Sequence, residues 1–403
     1  MKAPVTSSMI TISRRAAARL RQGHVWVYRS DLLPVEGEVA PGSLVSVADE
    51  RGNLVGTAIY SSGSQIALRM ISHGPVRSEE FPGLVRERIL AALEYRRQRG
   101  LTDAANSNAY RLLFSEADFL PGVIVDKYND VLSVQILAQA MDMEPVRDAI
   151  VGTLSGQVQA EGIVERVDER VRELEQMPER ESGLLRGEKT VTQFALNGVR
   201  FHYDALSGQK TGAFLDQREN YAAAEKYAHG DALDAFCYQG GFALHLARTC
   251  STVTAVDSSR PALEVAERNE NLNAVEGRPA IEWMEANAFD LLKDYSSAGR
   301  QYDTVVLDPP AFAKSKRDLA TALRGYKELN LRALKMLRPG GVLVTCSCSF
   351  HVSEADFLEM LRAAAADVRR SPRLLEKRAQ ALDHAILLTV PETAYLKCLI
   401  VQV

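Results

Sequence analysis

From residue 214 onward the apolar runs of this chain alternate between strand length and helix length, and that alternation restricts the fold more than any other property of the sequence. The strand-like runs are ALDAF (232–236), TVTAVD (252–257), AIEWMEA (280–286), YDTVVLD (302–308) and GVLVTCSCS (341–349). Helical periodicity falls between them, over 216–228, 241–249, 261–273, 287–295 and 321–337. Parallel neighbours need a long crossover and antiparallel ones do not, so regular alternation predicts an α/β architecture around a mainly parallel sheet. Two last runs, AILLTV (385–390) and YLKCLIVQV (395–403), joined by PETA, read as a closing β-hairpin.

The preceding residues follow other patterns. Up to about residue 73, short β-rich runs (LVSVAD 44–49, LVGTAIY 54–60, QIALRM 65–70) are separated by Gly and Ser turns, as in a small barrel or sandwich, after an arginine-bearing helix over 13–22. A second segment starts near Pro75 with an amphipathic helix (84–100), strands within 111–138 and a helix over 144–154. The charged stretch 165–189 reads as a surface excursion, helical in part, and TVTQFALNGVRFHYDAL (190–206) as two strands around an Asn197-Gly198 turn. The expected domains are therefore 1–73, 74–195 and 196–403. A length of 403 residues suits more than one core.

Composition narrows the class. No apolar run is long enough for a membrane span, and no charged n-region precedes an apolar stretch at the N-terminus, so neither membrane insertion nor secretion is expected. Five cysteines scattered through strand-like and helical sequence fit a reducing cytosol, hence a cytoplasmic protein. Residues 1–75 carry 8 Lys+Arg against 5 Asp+Glu, whereas 76–195 carry 15 against 21. A polyanion should therefore meet the N-terminal segment and particular loops.

In an open α/β sheet ligands lie beyond the carboxyl ends of the strands near the switch in strand order. The turn after the first strand reads DAFCYQGGFALHLA (234–247), where Gly240 and Gly241 permit close backbone approach; a phosphate-binding G-x-G-x-x-G is absent, which counts against NAD or FAD. Asp257 ends the second strand, placed either to accept the ribose hydroxyls of an adenosine or to cap the next helix, which Ser259 could also cap. Asn287 or Asp290, after the third strand, could face an adenine. A parallel run closed by a hairpin is the topology expected of S-adenosylmethionine-dependent methyltransferases.

DPPAF (308–312) follows the fourth strand, and its two prolines stiffen the turn that holds Asp308 at the strand tips. Enzymes that methylate exocyclic amines carry an aromatic directly after such prolines; here that residue is Ala311, and Phe312 follows it. The fifth strand brings Cys346 and Cys348, spaced to share a face, with Cys348 nearer the tip. A thiolate and a proton-bearing carboxyl are what methylation at cytosine C5 requires, because C5 becomes nucleophilic only after C6 is attacked. Each cysteine alone could equally be a small buried hydrophobe. No second Cys or His pair sits at ligand spacing, so no metal site is expected. Lys314, Lys316, Arg317, Arg324 and Lys327 surround the mouth and suit phosphate contacts.

With these residues in hand the chain resembles the RlmI-type family of 23S ribosomal RNA cytosine-C5 methyltransferases along nearly its whole length. The likeness rests on GHVWVYRSDL (23–32), SSGSQIALRM (61–70), LPGVIVDKY (120–128), KTGAFLDQRENY (210–221), the Gly-Gly turn, DPPAFAKSK (308–316), GYKELN (325–330), SCS (347–349) and DHAILLTVPETAYLK (383–397). It implies an N-terminal PUA domain binding RNA, a central α+β domain and a Rossmann-like methyltransferase domain using S-adenosylmethionine, with large-subunit ribosomal RNA as partner and room for a homodimer. It implies Cys348 as nucleophile beside Asp308. The implied cofactor residues are Phe214, Gln217 and Arg218 ahead of the first strand, and Asp234, Phe236, Tyr238, Gly240 and Gly241 around its turn. Asp257, Ser258, Asn287, Ala288 and Asp308 complete that set; Arg29 joins the basic loop as an RNA contact. The chain departs from the family's usual wording at Val25, Phe119, Ala385 and Cys346. Guanine methylation in the same RNA, and an RNA-binding assembly factor without catalysis, are the alternative readings.

Overall fold

The computed structural model describes residues 8–34, 37–102, 105–207, 213–276, 280–313 and 315–403, which fall into two compact units. The first comprises the chain to Phe194 with Tyr203–Gly212 and Asp383–Thr393; the second comprises Ala195–His202, Ala213–Leu382 and Ala394–Val403. Lys210, Thr211 and Gly212 of the KTGAF segment lie outside the described residues, as does Lys314.

In the first unit, β1 (Met9–Ile12), β2 (Trp26–Tyr28), β3 (Leu44–Asp49), β4 (Leu54–Tyr60) and β5 (Ile66–Ser72) form a sheet in the order β1-β3-β4-β5-β2. Helix α1 (Arg14–Arg21) is started by Ser13, whose hydroxyl accepts the Ala16 amide, and it buries Ala16, Ala17 and Leu20. Its arginines stay outside: Arg19 pairs with Asp31 at 2.6 Å and Arg21 with Asp49. Successive residues of β3 face opposite sides, so Val45 and Val47 pack with Ile10, Ile12 and Leu68, while Leu44 joins a second core. That core belongs to β6 (Ala109–Phe114), β7 (Val123–Tyr128), β8 (Val131–Ile136), β9 (Gly162–Glu165) and β10 (Gly183–Gly187), covered by α2 (Phe81–Gln98) and α3 (Glu144–Gln157).

The charged stretch 165–189 is more than a surface excursion. It holds α4 (Glu169–Glu175), where Glu175, 4% exposed, accepts from Arg69 at 2.8 Å and Ser61 at 2.6 Å. Its charges are spaced for partners distant in sequence, which is why no apolar period shows. The Asn197-Gly198 turn joins β11 (Val191–Leu196) to β12 (Val199–Asp204), with φ of 52° and 81°, the left-handed pair that a two-residue hairpin favours.

The second unit is built on β13 (Asp231–Ala235), β14 (Thr252–Asp257), β15 (Glu282–Glu285), β16 (Tyr302–Leu307), β17 (Leu337–Ser347), β18 (Arg373–Arg378) and β19 (Lys397–Gln402). Their order is β15-β14-β13-β16-β17-β19-β18; the first five are parallel, and β19 runs antiparallel to both its neighbours. The helices are α5 (Arg218–Tyr227), α6 (Gly241–Leu246), α7 (Arg260–Leu272), α8 (Ala288–Ser297), α9 (Leu319–Met336) and α10 (Glu354–Asp367). The order reverses between β13 and β16, which puts the switch point beside Asp308.

The sheet is closed by an antiparallel pair, but the expected partner is corrected. AILLTV forms no strand, and β19 pairs instead with RLLEKR of β18. In the former, Leu388 is 91% exposed and Val390 buried, and the Thr393 hydroxyl turns the chain by bonding the Leu387 amide and the Val390 carbonyl.

Candidate active site

The loop from β13 to α6 is built from backbone that side chains rarely adopt. Phe236 (φ 70°), Tyr238 (φ 50°) and Gly240 (φ 86°) are all left-handed. The amides of Phe236 and Cys237 both donate to Val256 O at 2.9 Å, and Tyr238 N donates to Asp257 Oδ2 at 2.9 Å. A Cβ on Gly240 would come within 2.7 Å of the Trp283 ring, and one on Gly241 within 2.5 Å of Tyr221, so both positions require glycine. Asp257 Oδ1 takes the Ser259 amide, and the Ser259 hydroxyl, not Asp257, caps α7. Asp257 is left half-buried at the strand end with acceptor capacity to spare.

Beneath this loop Asp234 is fully buried. Burial raises its pKa well above the usual range, the Asp308 charge adds to this, and the Ala243 amide opposes it only in part; neither oxygen has a partner in full hydrogen-bond geometry. Asp308 itself is pushed up to about 7, by burial first and the Asp216 charge second, against a hydrogen bond from Gln217. That bond runs from Gln217 Nε2 to Asp308 Oδ2 at 3.0 Å. Gln217 is oriented in turn by Asn220, which donates to its Oε1 at 2.6 Å, and Asn220 is held by Arg378 Nε of β18 at 2.9 Å. Asp216 accepts the Tyr395 hydroxyl on Oδ2 at 2.7 Å, and its buried Oδ1 has no partner.

The two thiols separate in environment. Cys346 is fully buried opposite Cys398 on β19, and burial, reinforced by Cys398, raises its pKa far above the ordinary thiol value. Cys348 lies just past the last residue of β17 and, of the five free cysteines, is the half-exposed one. Its Sγ lies 4.0 Å from Pro309 O. Burial, then Asp308 and Asp216, push its pKa up to about 11, while Lys397 lowers it. The next residue, Ser349, joins the two segments: its hydroxyl accepts the amides of Phe312 (3.1 Å) and Ala313 (3.2 Å) and meets the Tyr326 hydroxyl at 3.0 Å.

The aromatic of the proline turn is thereby committed to packing. The Phe312 ring lies 4.6 Å from Tyr326 and 5.7 Å from Phe289, and Phe289 reaches Phe236 at 6.3 Å. Phe214 and Tyr238 meet at 5.0 Å. Arg218 is buried and bonded to Glu219. Ser258 is exposed beside Asp257. Asn287 caps α8 by accepting the Phe289 and Asp290 amides, with buried Ala288 as the first helical residue. Lys316, Arg317 and Arg324 are exposed at the start of α9. In the first unit, Arg29 donates to Ser61 O and Ser64 O and so shapes the β4–β5 loop.

Sequence reasoning passed over Asp216, Tyr326 and Lys397. The signal for Lys397 was present: a lysine opening the otherwise apolar strand KCLIVQ, where it is 8% exposed. Chemically, the switch point offers a buried carboxylate under a glycine-tight loop, a half-buried diol acceptor, a carboxyl able to carry a proton near neutrality, and a reachable thiol.

Comparison with known proteins bears on this arrangement. Residues 10–73 match the PUA-like domain family, and residues 147–385 match the S-adenosylmethionine-dependent methyltransferase family. The chain is 36% identical to ribosomal RNA large subunit methyltransferase I of Pseudoalteromonas translucida, over 95% of this chain and 96% of that one. It is 35% identical to the protein of the same name from Aeromonas hydrophila, over 99% and 100%. Among solved structures, a methyltransferase complexed with SAH superposes with a TM-score of 0.83 at 19% identity, covering 98% of this chain and all of the other. An S-adenosylmethionine-dependent methyltransferase from Streptococcus mutans gives 0.82 at 18%, with the same coverage. The fold is thus that of the class I methyltransferases, and the cofactor is S-adenosylmethionine. The half-buried Asp257, at the end of β14 beside the left-handed loop, fits a ligand that brings hydroxyl donors.

Proposed function

Given that the chain belongs to the family of ribosomal RNA large subunit methyltransferases I, we propose that it methylates C5 of a cytosine in 23S ribosomal RNA, in the cytoplasm, through a covalent bond from Cys348 to C6. The observation that carries this reading is the partly exposed Cys348 thiol, 4.0 Å from the Pro309 carbonyl and so beside the turn that holds Asp308. When bound, S-adenosylmethionine supplies an electrophilic methyl group. Cys348 as thiolate adds to C6, and the displaced electron pair is received at N3, where protonated Asp308 donates. C5 then takes the methyl group, N3 returns its proton to Asp308, C5 loses its own proton to a base, and the restored double bond expels the thiolate.

In this reading Asp257 accepts the ribose hydroxyls, and Ser258, Asn287 and Ala288 border the adenine. Phe214, Gln217, Arg218, Phe236, Tyr238, Gly240 and Gly241 enclose the cofactor over Asp234. RNA is captured by the domain over 1–73, with the division at 74–195 and 196–403 retained, and phosphates meet Arg29, Lys314, Lys316, Arg317 and Arg324. The committed packing of Phe312 leaves no free aromatic at the proline turn to stack on an amine substrate.

The test uses ribosomal RNA containing 5-fluorocytosine, in which loss of the C5 substituent is blocked. Wild type and Cys346→Ala should form a protein–RNA adduct stable to denaturation, and Cys348→Ala none. An adduct with Cys348→Ala rejects the nucleophile. Wild type that methylates ordinary RNA without forming an adduct rejects the reaction class.

A further inference from the structure

Among the described residues, Lys397 is a buried lysine with no carboxylate bonded to it. It is 8% exposed, and its Nζ donates to two main-chain carbonyls, Ser349 O at 2.6 Å and Tyr395 O at 2.8 Å. Burying an ammonium with only neutral acceptors is costly, and a core position of this kind is more stably filled by an apolar residue. Its place explains the retention. Lys397 pairs with Ser347 across β17 and β19, and its Nζ docks on the carbonyl of Ser349, the residue after Cys348. Of the charged groups that face the Cys348 thiol, Asp308 from the β16 turn and Asp216 ahead of α5 oppose its ionisation, and Lys397 from β19 favours it. Tyr326 of α9 also faces the thiol, and Cys346 of β17 lies in the same field of Asp308.

We propose that Lys397 is a positioning residue whose positive charge, held against the Ser349 carbonyl, stabilises the Cys348 thiolate against the Asp216 carboxylate and against Asp308 once that group has lost its proton. The proposal deepens the methyl-transfer reading and rests on it for the use of the thiolate. Its chemistry is one deprotonation: the S–H bond of Cys348 breaks, the proton leaves to solvent or to a neighbouring carboxylate, and the electron pair stays on sulfur opposite the ammonium. Two carbonyl bonds use two of the three N–H groups and hold the ammonium in place beside the segment that carries Cys348. Burial draws the Lys397 pKa down to about 8, with the Cys348 charge acting against this, so the ammonium persists at neutral pH and fades just above it.

The readout is alkylation of Cys348 by iodoacetamide in the full chain, followed by peptide mass spectrometry from pH 6 to 10. It reports the thiolate and needs no RNA. Lys397→Met should slow alkylation at pH 7 about 10-fold, one unit of thiol pKa, and Lys397→Arg should restore it to within about threefold of wild type, since a guanidinium keeps its charge. S-adenosylmethionine affinity, measured alongside, reports whether each variant is folded. If Lys397→Met fails to fold, Lys397→Arg decides: its profile should diverge from wild type above pH 8, where only the wild-type cation is lost. Matching profiles in wild type and a folded Lys397→Met, or in wild type and Lys397→Arg across pH 8 to 10, overturn the proposal. A missing 5-fluorocytosine adduct with an intact alkylation difference would instead reject the reaction class alone.

Discussion

At the scale of single residues, the protonation of Asp308 ties stability to the proposed chemistry. Burial lifts its pKa from 3.8 to about 7, so between those values the native state keeps a proton that the unfolded chain has lost. The stability contributed by the neutral carboxyl is therefore complete below the unfolded value and lost as pH rises through about 7. Asp308→Asn, neutral at every pH, should be more stable than wild type at pH 8 and lose that advantage at pH 4. The difference should be on the order of 2 to 4 kcal/mol. Urea denaturation at the two pH values measures it, and a pH-independent difference would show that Asp308 titrates as an ordinary carboxylate. The position of Asp308 was legible in the sequence, since a stiff proline turn at a parallel strand tip can be read directly. The contrast in burial between Cys346 and Cys348 was not. It depends on where β17 ends and on Cys398 standing opposite, and neither is encoded near the SCS triplet. Phe119 shows a similar limit: it sits at φ 58°, where glycine is the ordinary choice, and only the departure from the family's wording hinted at it.

At the scale of elements, the proline turn and the end of β17 act as one piece because Ser349 joins them. Ser349 is 1% exposed, and its hydroxyl accepts two amides besides meeting Tyr326. Ser349→Ala leaves those amides buried without acceptors and should cost about 2 to 5 kcal/mol. Tyr326→Phe removes one bond and should cost about 1 kcal/mol. Thermal unfolding checks both, and a Ser349→Ala protein within 0.5 kcal/mol of wild type would mean the turn is held by its prolines alone. The parallel strands of the second unit were readable because strands buried on both faces are continuous apolar runs. The sheet's edge was not. RLLEKR is charged, as exposed edges are, and resembles a loop, whereas AILLTV is apolar yet exposed. The misread edge matters to the site, since Arg378 of β18 orients Gln217 toward Asp308 through Asn220.

At the scale of the molecule, Asp383–Thr393 completes the first unit although it follows nearly all of the second in sequence. Asp383 is fully buried; its Oδ2 accepts the Arg111 amide at 2.8 Å, and its carbonyl accepts from Arg96, itself paired with Asp118. Asp383→Ala keeps the carbonyl that Arg96 uses but strands the Arg111 amide, and should destabilise the first unit by about 1 to 3 kcal/mol. In a Trp283→Phe background Trp26 of β2 alone reports that unit, and an unchanged urea midpoint in its fluorescence would show that the returning segment contributes nothing. Sequence patterning located the sheets of both units but not this return, because a segment held by buried polar groups carries no hydrophobic period.

The same return sets a timetable for biosynthesis. The residues that receive Asp383 have left the ribosome long before it is made, and at ordinary elongation speeds the roughly 270 intervening residues take about 15 to 55 s. Throughout that interval Arg96 and the Arg111 amide await their acceptors, so the first unit should stay protease-sensitive in nascent chains until the second has been translated. A protein arranged in this way cannot finish its first half before its last.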